Sequence, residues 1–218
     1  MIPVTRAVGG VVLAGLLLSG CAASMSPGSA AVVDGTTISM DEADRTAAVY
    51  CEVALFSSAQ SGAGGTVDNA DVRRQAVSEL VTGVVAEAVA ERQELDVPRS
   101  AYVFTREQRD QVAEALPDVD VDEAVRVLEA GQRTYAIAER LGEIATGEET
   151  TEENASDIQE AGRAVLADAL READVSIDPR FGLGDDATQV ATSGSLSVSS
   201  DVLEEDVPLV APATQRCS

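Results

Sequence analysis

Histidine, lysine and tryptophan are all missing from the 218 residues. Without imidazole there is no Ser-His-Asp triad, no histidine general base and no histidine metal ligand. Without lysine there is no Gly-Lys phosphate loop, and all 15 basic side chains are arginine. Against them stand 38 acids, for a formal net charge of -23. Such a field repels a phosphate backbone, which excludes nucleic-acid binding. Aromatic residues make up only 3% of the chain, so the core must be built from Ala, Val and Leu, with long helices doing the packing. No Gly-x-Ser-x-Gly elbow occurs, and a serine nucleophile would have neither histidine nor lysine to activate it. Only one long apolar run exists, Val11 to Leu18, and it is too short to span a bilayer comfortably.

That run is followed by Leu18-Ser19-Gly20-Cys21, the pattern of a bacterial lipobox, with Arg6 as the positive flank. The expectation is a signal peptide over 1–20 and a mature chain that starts at a lipidated Cys21. One acyl chain holds a protein marginally, and two or three hold it firmly. The lipid is the only membrane contact expected, at the extracytoplasmic face of the cell membrane. Cys51 and Cys217 remain as an even pair in an oxidising compartment. One reading is a disulfide tying the last residues to the first helix. In the chain-entropy model a loop of that length contributes roughly 4–5 kcal/mol. The other is a buried free Cys51 and a loose Cys217.

Residues 21–30 are small and polar and read as a flexible tether. Ala31 to Ile38 places β-branched residues around Asp34-Gly35, a short strand or small hairpin. Ser39-Met40-Asp41-Glu42 matches a capping box. It opens a helix with Ala43, Ala47, Tyr50, Cys51, Ala54 and Leu55 on one face. A Gly-rich stretch ends that helix after about Ala59. Asp68 or Asn69 caps a second helix. Its stripe of Val72, Ala76, Val77, Leu80, Val81, Val84, Val85, Ala88 and Val89 has the 3.6-residue period. The helix runs to about Leu95. Thr105 with Gln108 opens a short helix that Pro117 stops. Another begins around Asp120 and fades at Gly147. Thr150 with Glu153 is expected to open the last, which ends near Ala173. Asp174 to Asp178 alternates as a strand, and lone strands leave backbone groups unpaired, so it is expected to pair with Val32-Val33. The fold class is mostly α: about five helices closed by a two-stranded element from the two ends of a domain over 31–182. Residues 183–218 read as an extended or disordered acidic tail, with Cys217 as its one anchor.

Signals for chemistry are weak. Asp118-Val119-Asp120-Val121-Asp122, with Glu129 at the twelfth position, imitates a calcium loop, but Glu123 stands where glycine is required. A helix-period stripe runs through the segment, and acids suit a first helical turn. The plain helix start is the preferred reading. Asp185-Asp186 and Glu204-Glu205 read as solvated charge. Gly83, Gly131, Gly142 and Gly162 fall inside helical patterns and mark either close helix crossings or composition drift. No catalytic residue, metal ligand or cofactor is assigned.

The stretch Ala31-Val32-Val33-Asp34-Gly35-Thr36-Thr37-Ile38-Ser39, leading into an acid-rich helix start, resembles the opening of the SurA-like and PrsA-like chaperone domain. Val175-Ser176-Ile177-Asp178-Pro179-Arg180-Phe181-Gly182 resembles the strand that closes this domain in actinobacterial lipoproteins. The resemblance covers about residues 31–182. It implies a helical domain that holds unfolded secreted chains in an apolar groove. Many members add a parvulin rotamase domain; after Gly182 too few residues follow for one, and the histidines of such a site are missing. The expectation is a lipid-anchored holdase for unfolded or assembling secreted proteins, without isomerase chemistry and not an enzyme. The alternative is a structural or adaptor envelope lipoprotein that binds one folded partner. Phe56, Tyr102, Phe104 and Tyr135 are the candidates for the groove, against ordinary core positions.

Overall fold

A computed structural model describes residues 27–62, 67–188, 190 and 216–217. The elements run β1 (Ser29–Val33), β2 (Thr36–Ser39), α1 (Met40–Ser61), α2 (Asn69–Arg92), α3 (Arg106–Ala115), α4 (Val121–Thr146), α5 (Ala155–Glu172) and β3 (Val175–Ile177). Single 3₁₀ turns lie at Arg99–Ala101 and Pro179–Phe181. The fold is mostly helical with one small antiparallel sheet, ordered β2-β1-β3.

Asp34 and Gly35 both have positive φ, 47° and 81°, which is the backbone a tight two-residue hairpin needs. They therefore turn β1 into β2. On its other side β1 pairs with β3, with Val33 opposite Val175 and Ala31 opposite Ile177. The expected pairing of the two ends is present, but the element has three strands rather than two. Asp34 locks the corner: its N–H donates to the Asp174 carbonyl and its carboxylate accepts from the Asp174 N–H, both at 2.9 Å. The tether expected over 21–30 overlaps the sheet. Ser29 and Ala30 belong to β1 and are buried, because their small side chains fit where the sheet meets the helices.

Helix starts follow local chemistry. Ser39 Oγ accepts from Glu42 N–H, Asp68 caps α2 through Ala70 N–H, and Asp120 caps α4 through Glu123 N–H. The reciprocal capping box is complete at α3, between Thr105 and Gln108. At α1 only the Ser39 half is seen among the described residues. The expected start of α5 is displaced. Thr150 N–H is taken by Glu143 at the end of α4, and Asn154 stands at the N-cap position, its carboxamide bonded back to Thr151. The end of α2 is displaced too. Glu94 adopts φ 51° and Leu95 N–H bonds to Ala90 O at 2.9 Å, a Schellman closure, so the helix stops at Arg92 and not at Leu95.

The core gathers the inner faces of α2, α4 and α5 against the sheet, with Val77, Val81, Ile137 and Leu141 at its centre and Phe181 closing one end. The α4–α5 pair packs closest. A Cβ on Gly142 would stand 1.9 Å from Ile158 O, and one on Gly162 would stand 1.7 Å from Ala138 O. Only glycine admits such backbone proximity.

One boundary is corrected at the C-terminal side. Residues 183–188 are not tail: Ala187 is buried in the core, its carbonyl accepts from Ser78 Oγ at 3.0 Å, and Gly184 N–H donates to Thr188 O. The folded region thus reaches Thr188 rather than Gly182. Cys217 lies against α1 and α2, where its N–H donates to Val67 O at 3.0 Å. Its sulfur is bonded to that of Cys51 at 2.00 Å, with the Cα atoms 5.4 Å apart. Residues 1–26, and with them Cys21 and the expected signal peptide, lie outside the described residues, as do residues 191–215 of the tail expected over 183–218.

Candidate functional site

The calcium-like segment forms a helix start. Asp120 caps α4, Asp122 pairs with Arg109 at 2.6 Å, and Glu129 accepts from Phe104 N–H at 2.8 Å. Among the described residues no group of three or more Cys, Asp or Glu is placed to hold a metal ion. No described helix is long and apolar enough to cross a membrane. Asp186 is committed to its own turn: the Thr188 hydroxyl and N–H donate to it and hold its carboxyl below the usual range.

Among the depressions lined by described residues, two with mostly apolar walls differ in character. The first is an open groove of about 740 Å³ between the second half of α1, α3 and α4. Phe56 and Phe104 face it, with Val112, Leu116 and Leu128 on its apolar side and Gln60, Gln108 and Gln111 among its polar residues. Phe56 is 42% exposed, a costly position for a phenyl ring in a chain with so few aromatics. Position here follows from local bonds. Glu129 holds Phe104 by its backbone, and the Thr105 cap aims α3 away from it. α3 buries none of its own residues; it rests on the cluster of Val49, Leu116, Ala124 and Val127 through its last turn.

The second is a central cavity of about 450 Å³ between α1, α2 and α4, roofed by the β1–β2 turn. Leu80, Val84 and Ala88 line it. They belong to the apolar stripe of α2, yet they stay only half-buried while Val77, Val81, Val85 and Val89 are sealed. α1 contributes Thr46 and Tyr50, one turn apart; α2 contributes Glu79 and Gly83; α4 contributes Gly131 and Thr134. Tyr50, Glu79, Gly131 and Thr134 also line a neighbouring depression of similar size, about 480 Å³, toward α5.

The charges at the cavity are unequal in their partners. Arg133 is held by both carboxylate oxygens of Glu87 and lies 4.8 Å over the Tyr102 ring. Arg126 forks onto Glu123 at 2.6 and 3.1 Å, and that bond, ahead of the pull of Arg45, lowers the Glu123 carboxyl. Glu79 has no arginine within ion-pair distance among the described residues. Its side chain is still exposed to solvent over part of its surface, and the partial desolvation from packing beside Tyr50 pushes its carboxyl up. Burial first, and the Glu79 charge second, push the Tyr50 phenol to about 12. Thr46 is 2% exposed, and its hydroxyl has no hydrogen-bond partner.

The four aromatics expected in one groove are divided. Phe56 and Phe104 line the same groove; Tyr102 lies under Arg133; Tyr135, 52% exposed, belongs to the depression toward α5. The four lie on different elements: Phe56 on α1, Tyr135 on α4, and Tyr102 and Phe104 in the segment that leads into α3. Gly142 and Gly162 do mark a close crossing, whereas Gly83 and Gly131 line the cavity. Thr46 and Glu79 were not among the expected residues. The i, i+4 spacing of Thr46 with Tyr50 was the available signal, masked because Thr46 lies beside the expected apolar face of α1. No family model, no curated protein and no solved structure matches this chain.

Proposed function

We propose that this chain is a lipid-anchored extracytoplasmic holdase, tethered through Cys21, that takes apolar stretches of unfolded secreted polypeptides into the groove between α1, α3 and α4. The exposed Phe56 ring, in one groove with Phe104, carries this reading. An apolar patch of that kind, with glutamine amides able to bond an extended backbone, favours a polypeptide over a small solute. The closing of a helical domain by strands from its two ends agrees with the chaperone-like ends of the sequence. The net charge of -23 keeps the protein soluble and favours basic clients. The role in this reading is binding alone, without isomerase chemistry.

The test is aggregation of several unrelated unfolded clients in the presence of the full chain. Near-stoichiometric protein is expected to slow it, and Phe56→Glu with Phe104→Glu to remove most of the effect while the melting temperature holds. Prolyl isomerisation should stay at its uncatalysed rate, tens to hundreds of seconds per event. In cells, Cys21→Ser should abolish fatty-acid labelling and membrane retention. No protection of any client, joined to crosslinking that captures a single folded protein, would replace this reading with the adaptor.

A further inference from the structure

We infer that the central cavity is a binding site for an alkylammonium group, a primary ammonium carried on an aliphatic stem. The cavity and the groove share no lining residue, so the two proposals stand or fall separately.

The first observation is space that the helices give up. Gly83 and Gly131 lie inside α2 and α4, where glycine weakens a helix relative to alanine. Neither has a positive φ. Nor does either serve a close approach: a Cβ would meet Thr134 Oγ1 at 3.5 Å or Tyr50 Oη at 4.0 Å, ordinary contacts. Their effect is to leave the cavity open. The second is the Thr46 hydroxyl, buried at the cavity wall with no partner, a state that native proteins rarely leave unanswered. The third is charge. Arg126 and Arg133 reach the cavity already neutralised by Glu123 and Glu87, whereas Glu79, Asp34 and Glu91, all partly exposed, line it with no ion pair among the described residues, so the net charge it presents is negative.

These features describe one complement. An ammonium has three N–H donors and no acceptor, and the Glu79 carboxylate, Thr46 Oγ1 and Tyr50 Oη all accept. The walls beyond them are Leu80, Val84, Val127 and Ala130, suited to a short methylene chain. An anion would meet the carboxylates of Glu79, Asp34 and Glu91, and a neutral alkyl group would leave the Thr46 hydroxyl unanswered. The volume of about 450 Å³ lies within the usual range of small-ligand pockets. The group has two sources, a free alkylamine or the lysine side chain of a bound polypeptide.

Calorimetric titration of the full chain, with the Cys51–Cys217 bond intact, decides the matter. The probes are n-pentylamine, n-pentanol, an acetylated Ala-Lys-Ala amide and its norleucine counterpart. The amine and the lysine peptide should bind, the alcohol and the norleucine peptide should not. Glu79→Gln should weaken binding ~10-fold or more, the scale of a lost charge-assisted bond. Thr46→Val should weaken it less, and Gly83→Val should abolish it by filling the space. Circular dichroism reports folding; should Gly83→Val fail to fold, the nearly isosteric Glu79→Gln carries the test. Tighter binding of the free amine assigns a free ligand, and tighter binding of the lysine peptide assigns a client side chain. Equal binding of pentanol and pentylamine, indifference to Glu79→Gln, or binding of none of the four overturns the inference.

Discussion

Gly142 and Gly162 lie inside α4 and α5; Gly83 and Gly131 lie inside α2 and α4. All four have the same local setting, a mid-helix position with ordinary helical φ. The first pair stands against backbone, with Ile158 O and Ala138 O where a Cβ would be. The second pair stands against open space bounded by Thr134 and Tyr50. In one case the missing side chain lets two helices touch, and in the other it keeps helices from filling the gap between them. A helix glycine therefore says nothing about packing until its neighbour is known. In this chain one pair serves stability and the other costs stability at the cavity.

The comparison breaks most visibly on alanine substitution. Gly162→Ala forces the α4 and α5 backbones apart, because the obstructing atom is a carbonyl and not a flexible side-chain tip. The expected loss is about 3 kcal/mol. In a chain of this size that lowers Tm by ~6–12 °C. Urea unfolding of the intact protein measures it, and a loss under about 0.5 kcal/mol would mean that the helices do not touch there. Gly83→Ala should move the other way. Alanine removes the entropic cost of glycine in a helix, and its methyl group meets Thr134 Oγ1 at an ordinary 3.5 Å. A gain of about 0.5–1 kcal/mol is expected by the same measurement. Opposite signs at two mid-helix glycines would establish the contrast; the same sign at both would dissolve it.

Much of the fold was legible because its determinants are local. Ser39, Asp68, Thr105 and Asp120 act as caps through bonds to residues two or three positions away. The Asp34-Gly35 turn and the alternation of Val175 and Ile177 are equally local, and with Cys21 expected to carry lipid, Cys51 and Cys217 were the pair left for the disulfide that is observed. What failed to show depends on other elements. α2 ends through Glu94 in a conformation usually left to glycine, so no residue type announced it. Thr150 was drawn to Glu143 of the preceding helix, which moved the start of α5. Ala187 looked like tail because its burial is supplied by α2. The site was the least legible part. Thr46 is buried only because α1 is gripped by α2 on one side and by α3 and α4 on the other, as Val49 also records. The groove divided the expected aromatics for the same reason: which residues share a depression is set by how separate elements pack, not by spacing within one helix.

The smallest expected effect concerns the polar side of the cavity and sharpens the view that the open pair of glycines sits beside an unmet charge. Partial desolvation raises the Glu79 carboxyl above its ordinary 4.5. Between that value and the raised one, the folded chain binds more protons than the unfolded chain, so stability falls as pH rises through this window. Below the ordinary carboxylate range Glu79 is protonated in both states and carries no penalty; above the raised value the penalty is complete. Glu79→Gln removes it. Part of the Glu79 side chain is exposed, which screens the effect, so at pH ~7.5 the variant should melt only slightly higher than the parent, while near pH ~3.5 the two should coincide. Removing one acid from so negative a chain also relieves general repulsion, which the exposed Glu160→Gln variant measures on its own. A gain for Glu79→Gln no larger than that of Glu160→Gln, or one that persists unchanged at low pH, would mean that Glu79 is solvated and that the cavity carries no unmet charge.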